Sequence, residues 1–205
     1  MYVVLEGIDT CGKSTQINAL KEHFTQAVFT KEPGGSALGA KIRTMILQSH
    51  TLDSAERTNN EALSKEAEFF LFLADRAEHF AKVIKPNLNR LIISDRSLIS
   101  GIAYAQHIPQ AEFINRLCMQ DIVPDICFVF EITKPTLLER LSSKIRDSIE
   151  ARGIDYLLTI QERILYYAKS IAKQTITLNA SAPQDEITKI IVTHLTQANI
   201  KTHRF

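Results

Sequence analysis

The chain has 205 residues, 45% of them hydrophobic and 23% charged, which is enough apolar material for one domain with a full core and is not the balance of a disordered segment. Its formal net charge of +1 supplies no global electrostatic drive toward nucleic acid or an anionic membrane. No apolar stretch reaches transmembrane length, so neither nucleic acid nor membrane is an expected partner.

The first element is an apolar run, Tyr2-Val3-Val4-Leu5, that reads as a strand over 2–6. It leads directly into Gly7-Ile8-Asp9-Thr10-Cys11-Gly12-Lys13-Ser14, which matches G-x-x-x-x-G-K-[ST] between a strand and a helix start. Gly7 and Gly12 let the backbone curl so that its N–H groups point at a polyphosphate. Lys13 reaches the terminal phosphates, and the Ser14 hydroxyl is a hard oxygen ligand for Mg²⁺. The helix opened by Lys13, Ser14 and Thr15 adds its positive dipole end to the same anion. Cys11, inside this loop, reads either as a small side chain filling a tight turn or as a thiol activated by the helix terminus. With Cys118 and Cys127 it makes three cysteines at no metal spacing, the pattern of reduced thiols in the cytosol. Since the chain runs straight into a strand without a basic leader, no targeting peptide is expected.

Further along, continuous apolar runs at 27–30, 91–94, 126–132 and 175–178 read as strands buried on both faces. Between them lie helical patterns. Leu38, Ile42, Met45 and Ile46 mark one, and Leu63, Ala67, Phe70, Leu71 and Ala74 mark a long one over about 61–85, stopped by Pro86. Phe113 and Leu117, then Leu158, Leu165, Ala168 and Ala172, then Ile187, Ile190, Ile191 and Leu195 mark three more. This alternation predicts a three-layer α/β fold, a five-stranded parallel sheet flanked by helices, in a single domain spanning 1–205.

In parallel sheets, ligands bind beyond the carboxyl ends of the strands. Those ends carry Lys31-Glu32-Pro33-Gly34-Gly35, Asp95-Arg96-Ser97, Thr133-Lys134-Pro135 and Asn179-Ala180-Ser181. Asp95 at a strand end can organise Mg²⁺, and Arg96 can clamp a phosphate through two parallel hydrogen bonds.

With these residues in place the chain resembles the thymidylate kinase family of nucleoside monophosphate kinases, over nearly its whole length. The resemblance is carried by Phe29-Thr30-Lys31-Glu32-Pro33-Gly34-Gly35, by Leu73-Ala74-Asp75-Arg76-Ala77, and by Asp95-Arg96 with Ser100 and Ala103-Tyr104-Ala105-Gln106. It implies a P-loop fold and transfer of the ATP γ-phosphoryl group to dTMP in dTTP synthesis, with ATP as co-substrate, Mg²⁺ as cofactor and a homodimeric state. Phe69, Phe70 and Phe80 beside Phe72 offer apolar surface for such an interface.

Residue by residue, the resemblance assigns Asp9 to the sugar hydroxyl and an arginine, Phe72 to stacking on thymine, and Arg76 to the base carbonyl. Arg43 and Arg96 grip the acceptor phosphate. Ser100, Gly101 and Tyr104 line base and sugar, with Pro33 beside them, and the tyrosine crowds out a 2′-hydroxyl. Gly7 through Thr15 hold the donor phosphates, and Ala180-Ser181 lie near adenine. Each of Phe72, Arg76 and Tyr104 taken alone also reads as a packing residue.

The basic segment at 140–155 suits a lid over ATP, at about 142–154. Some family members carry an arginine in the phosphate loop and others take it from the lid. Thr10 stands at the loop position here, so Arg146 is the expected transferring cation, with Lys144 and Arg152 as substitutes. The lid reads Asp147-Ser148-Ile149-Glu150 where the family carries Asp-Arg-x-Glu, and Ser97 replaces a tyrosine. Two other functions share part of this pattern. Another small-molecule kinase would need the loop and Asp95-Arg96 but not the Phe72/Arg76 pair. A nucleotide-dependent switch would want a guanine-reading Asn-Lys-x-Asp element, which the sequence lacks.

Overall fold

A computed structural model of the chain describes residues 1–51, 63–142 and 153–202. Five parallel strands form its sheet: β1 (Tyr2–Glu6), β2 (Val28–Lys31), β3 (Ile92–Asp95), β4 (Ile126–Glu131) and β5 (Gln174–Asn179), in the order β2-β3-β1-β4-β5. The five expected strands are all present, with ends moved by at most one residue. Position in the sheet explains their composition. Central β1 is buried throughout, with Val3, Val4 and Leu5 at 0% exposure, whereas edge strand β2 is only half covered. An uninterrupted apolar run is what a strand covered on both faces requires.

The register sets the functional edge. Leu5 pairs with Asp95, and Asp95 pairs with Lys31, so β1, β3 and β2 end level with one another. The segments that leave them, 7–13, 96–97 and 32–36, therefore share one rim. Because β1 lies between β3 and β4, the chain departs to opposite sides of it, and a crevice opens there at the strands' carboxyl ends.

Eight α-helices cover the sheet in the described residues: α1 (Lys13–His23), α2 (Ala37–Thr51), α3 (Lys65–His79), α4 (Leu98–Tyr104), α5 (Ala111–Cys118), α6 (Lys134–Ser142), α7 (Ile154–Ile171) and α8 (Gln184–Thr202). α1 packs on α8, α4 on α7 and α5, and α3 on α2 and α5. Most of the core is one cluster around β1, β3 and β4, and a smaller one joins Phe69 and Leu73 of α3 to Ala105 and Ala111.

The long helix expected over 61–85 is shorter and ends differently. Residues 61 and 62 lie outside the described residues. Ser64 caps α3 by accepting a hydrogen bond from the Ala67 N–H at 3.1 Å, which fixes the start at Lys65. After His79 the coil widens into a π-turn over Phe80–Ile84 and closes in a 3₁₀ turn over Lys85–Asn87. The apolar surplus is also smaller than expected. Phe69 and Phe80 are buried within the chain, and Phe70, at 59% exposure, is the one of the three that faces outward.

Candidate active site

The phosphate loop owes its shape to close approach and to left-handed backbone. A Cβ on Gly7 would lie 2.8 Å from Cys11 Sγ and 3.0 Å from the Phe130 carbonyl, so only glycine fits. Gly12 (φ 99°) and Thr10 (φ 65°) both adopt left-handed conformations, an uncommon one for threonine. Cys11 is buried against Gly7, which matches its space-filling reading. Lys13 Nζ folds back and donates to the carbonyls of Gly7 (2.9 Å) and Ile8 (2.8 Å), each within the loop itself. Ser14 and Thr15 stand exposed at the first turn of α1.

Two oxygen atoms beside this loop lack protein partners among the described residues. Thr10 Oγ1 and Asp95 Oδ1 are both buried without a hydrogen bond. Buried polar atoms without partners are uncommon and mark a place where something else supplies the contact.

Across the crevice, Arg96 emerges from β3 with a left-handed backbone (φ 71°). Its Nη2 donates to Asp9 Oδ1 and its Nη1 to Ser100 Oγ at 2.9 Å, while the guanidinium carbon sits 5.7 Å from the Tyr104 ring centre. Burial alone would raise the Asp9 carboxyl, but Arg96, Lys13 and Arg43 outweigh it and hold the group below its ordinary value. Of the three, Arg96 pairs with this carboxylate directly, and Lys13 and Arg43 act on it through their charge. Burial pushes the Tyr104 phenol up to about 12, so it stays neutral. Behind Arg96 lies Glu6, fully buried. It accepts hydrogen bonds from Ser97 Oγ (2.6 Å) and from Ser100 Oγ, and burial raises its carboxyl despite both.

The other side of the crevice is built on Glu32 and Arg76, both 4% exposed. Arg76 Nε donates to Glu32 Oε2 at 2.9 Å, and Nη2 lies 2.8 Å from the same oxygen. Nη2 also donates to the Ser97 carbonyl at 3.2 Å, and Nη1 donates to Asn115 Oδ1 on α5. His79 Nδ1 is 2.9 Å from Glu32 Oε1, and its Nε2 is 2.6 Å from Thr30 Oγ1. A carboxylate only accepts, so Nδ1 carries the hydrogen. Burial works to raise Glu32, but Arg76 and His79 prevail and keep it ionised. Asp75, buried next to Arg76, accepts from the Gly34 N–H at 2.9 Å, and its burial raises its carboxyl. Arg43 Nη1 donates to the Pro33 carbonyl at 3.3 Å, so α2 leans its guanidinium over the 33–34 turn. Phe72 is half-buried on α3.

The structure therefore brings Asp9, Arg96, Ser100 and Tyr104 into contact, with Lys13 in the adjoining loop and Arg43 over the 33–34 turn. It sets Arg76 just behind them, with most of its donors already committed. Arg146, Lys144 and Arg152 lie outside the described residues. Sequence reasoning missed Glu6, His79, Asn115 and Arg140. Arg140, on α6, donates to the Thr10 carbonyl (3.1 Å) and to the Ala180 carbonyl (2.6 Å), and so ties the phosphate loop to the segment after β5. His79 had a signal, since it lies three residues beyond Arg76 on one face of α3. Asn115 had a weaker one, as a polar residue in line with Ala111 on the covered side of α5.

Comparisons with known proteins identify the family. A model of the family described as Thymidylate kinase matches residues 5–191. Among curated relatives, Thymidylate kinase of Wolinella succinogenes is 49% identical over 189 residues, covering 91% of this chain and 94% of the relative. Thymidylate kinase of Aliarcobacter butzleri is 49% identical over 193 residues, covering 93% and 96%. The crystal structure of thymidylate kinase from Ehrlichia chaffeensis superposes with a TM-score of 0.69 at 24% identity, over 96% of this chain and 98% of that one, and supports the fold. With the phosphate loop, the arginine-paired carboxylate beside it and a family match from Leu5 to Ile191, the chain belongs to the thymidylate kinase family.

Proposed function

We propose that the chain, acting as one domain, transfers the γ-phosphoryl group of ATP to dTMP, giving dTDP and ADP. The observation that carries the reading is the ion pair of Arg96 with Asp9 of the phosphate loop, on a rim where β1 and β3 end level and where the charges of Lys13 and Arg43 also bear on that carboxylate. The loop supplies one cation, Lys13, and the segment after β3 and helix α2 supply two more, Arg96 and Arg43.

An oxygen of the dTMP phosphate attacks the γ-phosphorus, and the bond from that phosphorus to the β-phosphate oxygen breaks with its electron pair leaving on ADP. The attacking phosphate is already ionised, so no general base is needed. What the protein supplies is position and fixed positive charge. The loop N–H groups and Lys13 hold the donor, and Lys13 exchanges its two loop carbonyls for phosphate oxygens. Arg96 and Arg43 hold the acceptor phosphate, and Asp9 orients Arg96. Phe72 stacks on the base, Arg76 meets its carbonyl, and Ser100, Gly101 and Tyr104 bound the sugar. Ala180 and Ser181, joined to the loop through Arg140, border adenine. We assign Arg146 to the lid, with Lys144 and Arg152 as alternatives.

The unpartnered Asp95 Oδ1 and the exposed Ser14 hydroxyl are hard oxygens suited to Mg²⁺. Mg²⁺ held by Ser14 and Asp95 would offset the negative charge of the donor phosphates. We place the enzyme in the cytoplasm, in keeping with the free thiols of Cys11, Cys118 and Cys127. We also propose a homodimer through α2 and α3, where Leu38, Met45 and Phe70 present exposed apolar side chains.

The deciding experiment is an acceptor screen of the purified protein with ATP and Mg²⁺ against dTMP, dUMP, dCMP, dAMP and dGMP. ADP release fastest with dTMP is expected. A faster purine monophosphate, or no transfer to dTMP, would refute the assignment.

A further inference from the structure

Asn115 is fully buried on α5, yet it belongs to no sequence motif of the site. Both ends of its amide are committed. Oδ1 accepts from Arg76 Nη1, and Nδ2 donates to the Ala111 carbonyl at 2.6 Å. Reversing the amide would set a donor against a donor and an acceptor against a carbonyl, so its orientation is fixed.

The guanidinium it meets has five N–H groups. Nε and Nη2 are held by Glu32 and the Ser97 carbonyl, and Asn115 takes one hydrogen of Nη1. One Nη1 hydrogen is left uncommitted among the described residues. The three holding groups come from separate parts of the chain: the segment after β2, the turn before α4, and α5. Three anchors fix the plane of the guanidinium rather than only its centre. Gly101 closes the fourth side, since a Cβ there would lie 2.5 Å from Nη1, 2.7 Å from Nη2 and 2.8 Å from Asn115 Oδ1.

We infer that Asn115 is a specificity-determining positioning residue, which aims the uncommitted Nη1 N–H of Arg76 and thereby selects a pyrimidine with a carbonyl at C4. This rests on the reading above that Arg76 meets the base. A single fixed donor accepts a C4 carbonyl and opposes the C4 amino group of cytosine, which offers a second donor. A guanidinium freed from Asn115 can turn in its plane, and the penalty against the amino group falls.

The test uses Asn115→Leu, which removes the accepting oxygen, and Asn115→Asp, which keeps it, each assayed for kcat and KM with dTMP and with dCMP. Asn115→Leu should raise the KM for dTMP about tenfold and lower the dTMP-over-dCMP preference in kcat/KM about tenfold, with the smaller effect on kcat. Asn115→Asp should keep most of that preference. Should Asn115→Leu fail to fold by near-UV circular dichroism, Asn115→Ser is measured in the same way. Equal losses for both acceptors, with the preference unchanged, would make Asn115 a packing residue and overturn the proposal. Arg76→Lys serves as the control on the underlying reading. If it too leaves the preference intact, Arg76 does not read the base; if it abolishes the preference while the Asn115 variants do not, only the role of Asn115 fails.

Discussion

The two halves of the crevice are made of different material. The donor half is backbone. Its cation, Lys13, rests on carbonyls of its own loop at 2.9 and 2.8 Å, and its fit depends on Gly7 and Gly12. The acceptor half is buried side chain. Glu32, Arg76, His79 and Asn115 are bonded to one another at 4% exposure or less. A loop cation on two carbonyls can be handed to an incoming phosphate, whose charged oxygens replace those contacts and are the stronger acceptors. A buried charged array cannot rearrange without exposing an unpaired ion, so it is rigid before any substrate arrives.

That contrast is sharpest in stability. Arg76→Met leaves Glu32 buried with His79 as its remaining partner, and should cost about 3–5 kcal/mol in urea denaturation. A loss below about 1 kcal/mol would mean that the array is no more rigid than a surface pair. On the donor side the consequence is kinetic. Lys13→Ala should lower kcat by about 10²–10³, with a denaturation midpoint close to that of the parent chain. A folded variant with an unaltered rate would remove Lys13 from the chemistry.

The smallest effect concerns pH. Burial holds the folded Asp75 carboxyl above its ordinary value. Between the unfolded value, about 3.9, and the raised one, the folded chain binds more protons than the unfolded chain, so stability falls as pH rises through that interval. Asp75→Asn lacks this ionisation but keeps an oxygen for the Gly34 N–H. Its Tm relative to the parent should therefore increase as pH rises from about 4 and then level off. A gap independent of pH would show that Asp75 ionises as freely in the folded chain as in the unfolded one.

The same contrast decides what could be read from the sequence. The phosphate loop is local, and eight consecutive residues carry glycines where the backbone demands them, so the motif declares itself. The five strands are legible for a similar reason, since each is a contiguous run covered on both faces. The acceptor array is assembled from distant positions. Glu32 and Arg76 are 44 residues apart, Arg76 and Asn115 39, and Ser97 and Glu6 91. Nothing local to Asn115 or Glu6 says that a guanidinium or a pair of serines will meet it. Family resemblance supplied Arg76 and its direction of action, but not the groups that hold it. Ser97 shows the limit well. As a departure from a family tyrosine it read as a loss, yet folded it caps α4, bonds Glu6 and lends its carbonyl to Arg76. The end of the long helix was misjudged because Pro86 marks a stop without revealing how the preceding coil unwinds.

The π-turn at Phe80–Ile84 acts as a phase adjuster. Upstream of it, the inward stripe of the rod carries Asp75, Arg76 and His79 toward the cleft; downstream, Phe80 and Ile84 enter the hydrocarbon interior, at 2% and 0% exposure. Each residue of an ordinary helix turns the stripe by about 100°. One residue gained or lost between positions 80 and 84 would therefore swing Ile84 toward water and leave the polar stripe where it is. Insertions and deletions there should injure the folding of this rod and spare its chemistry.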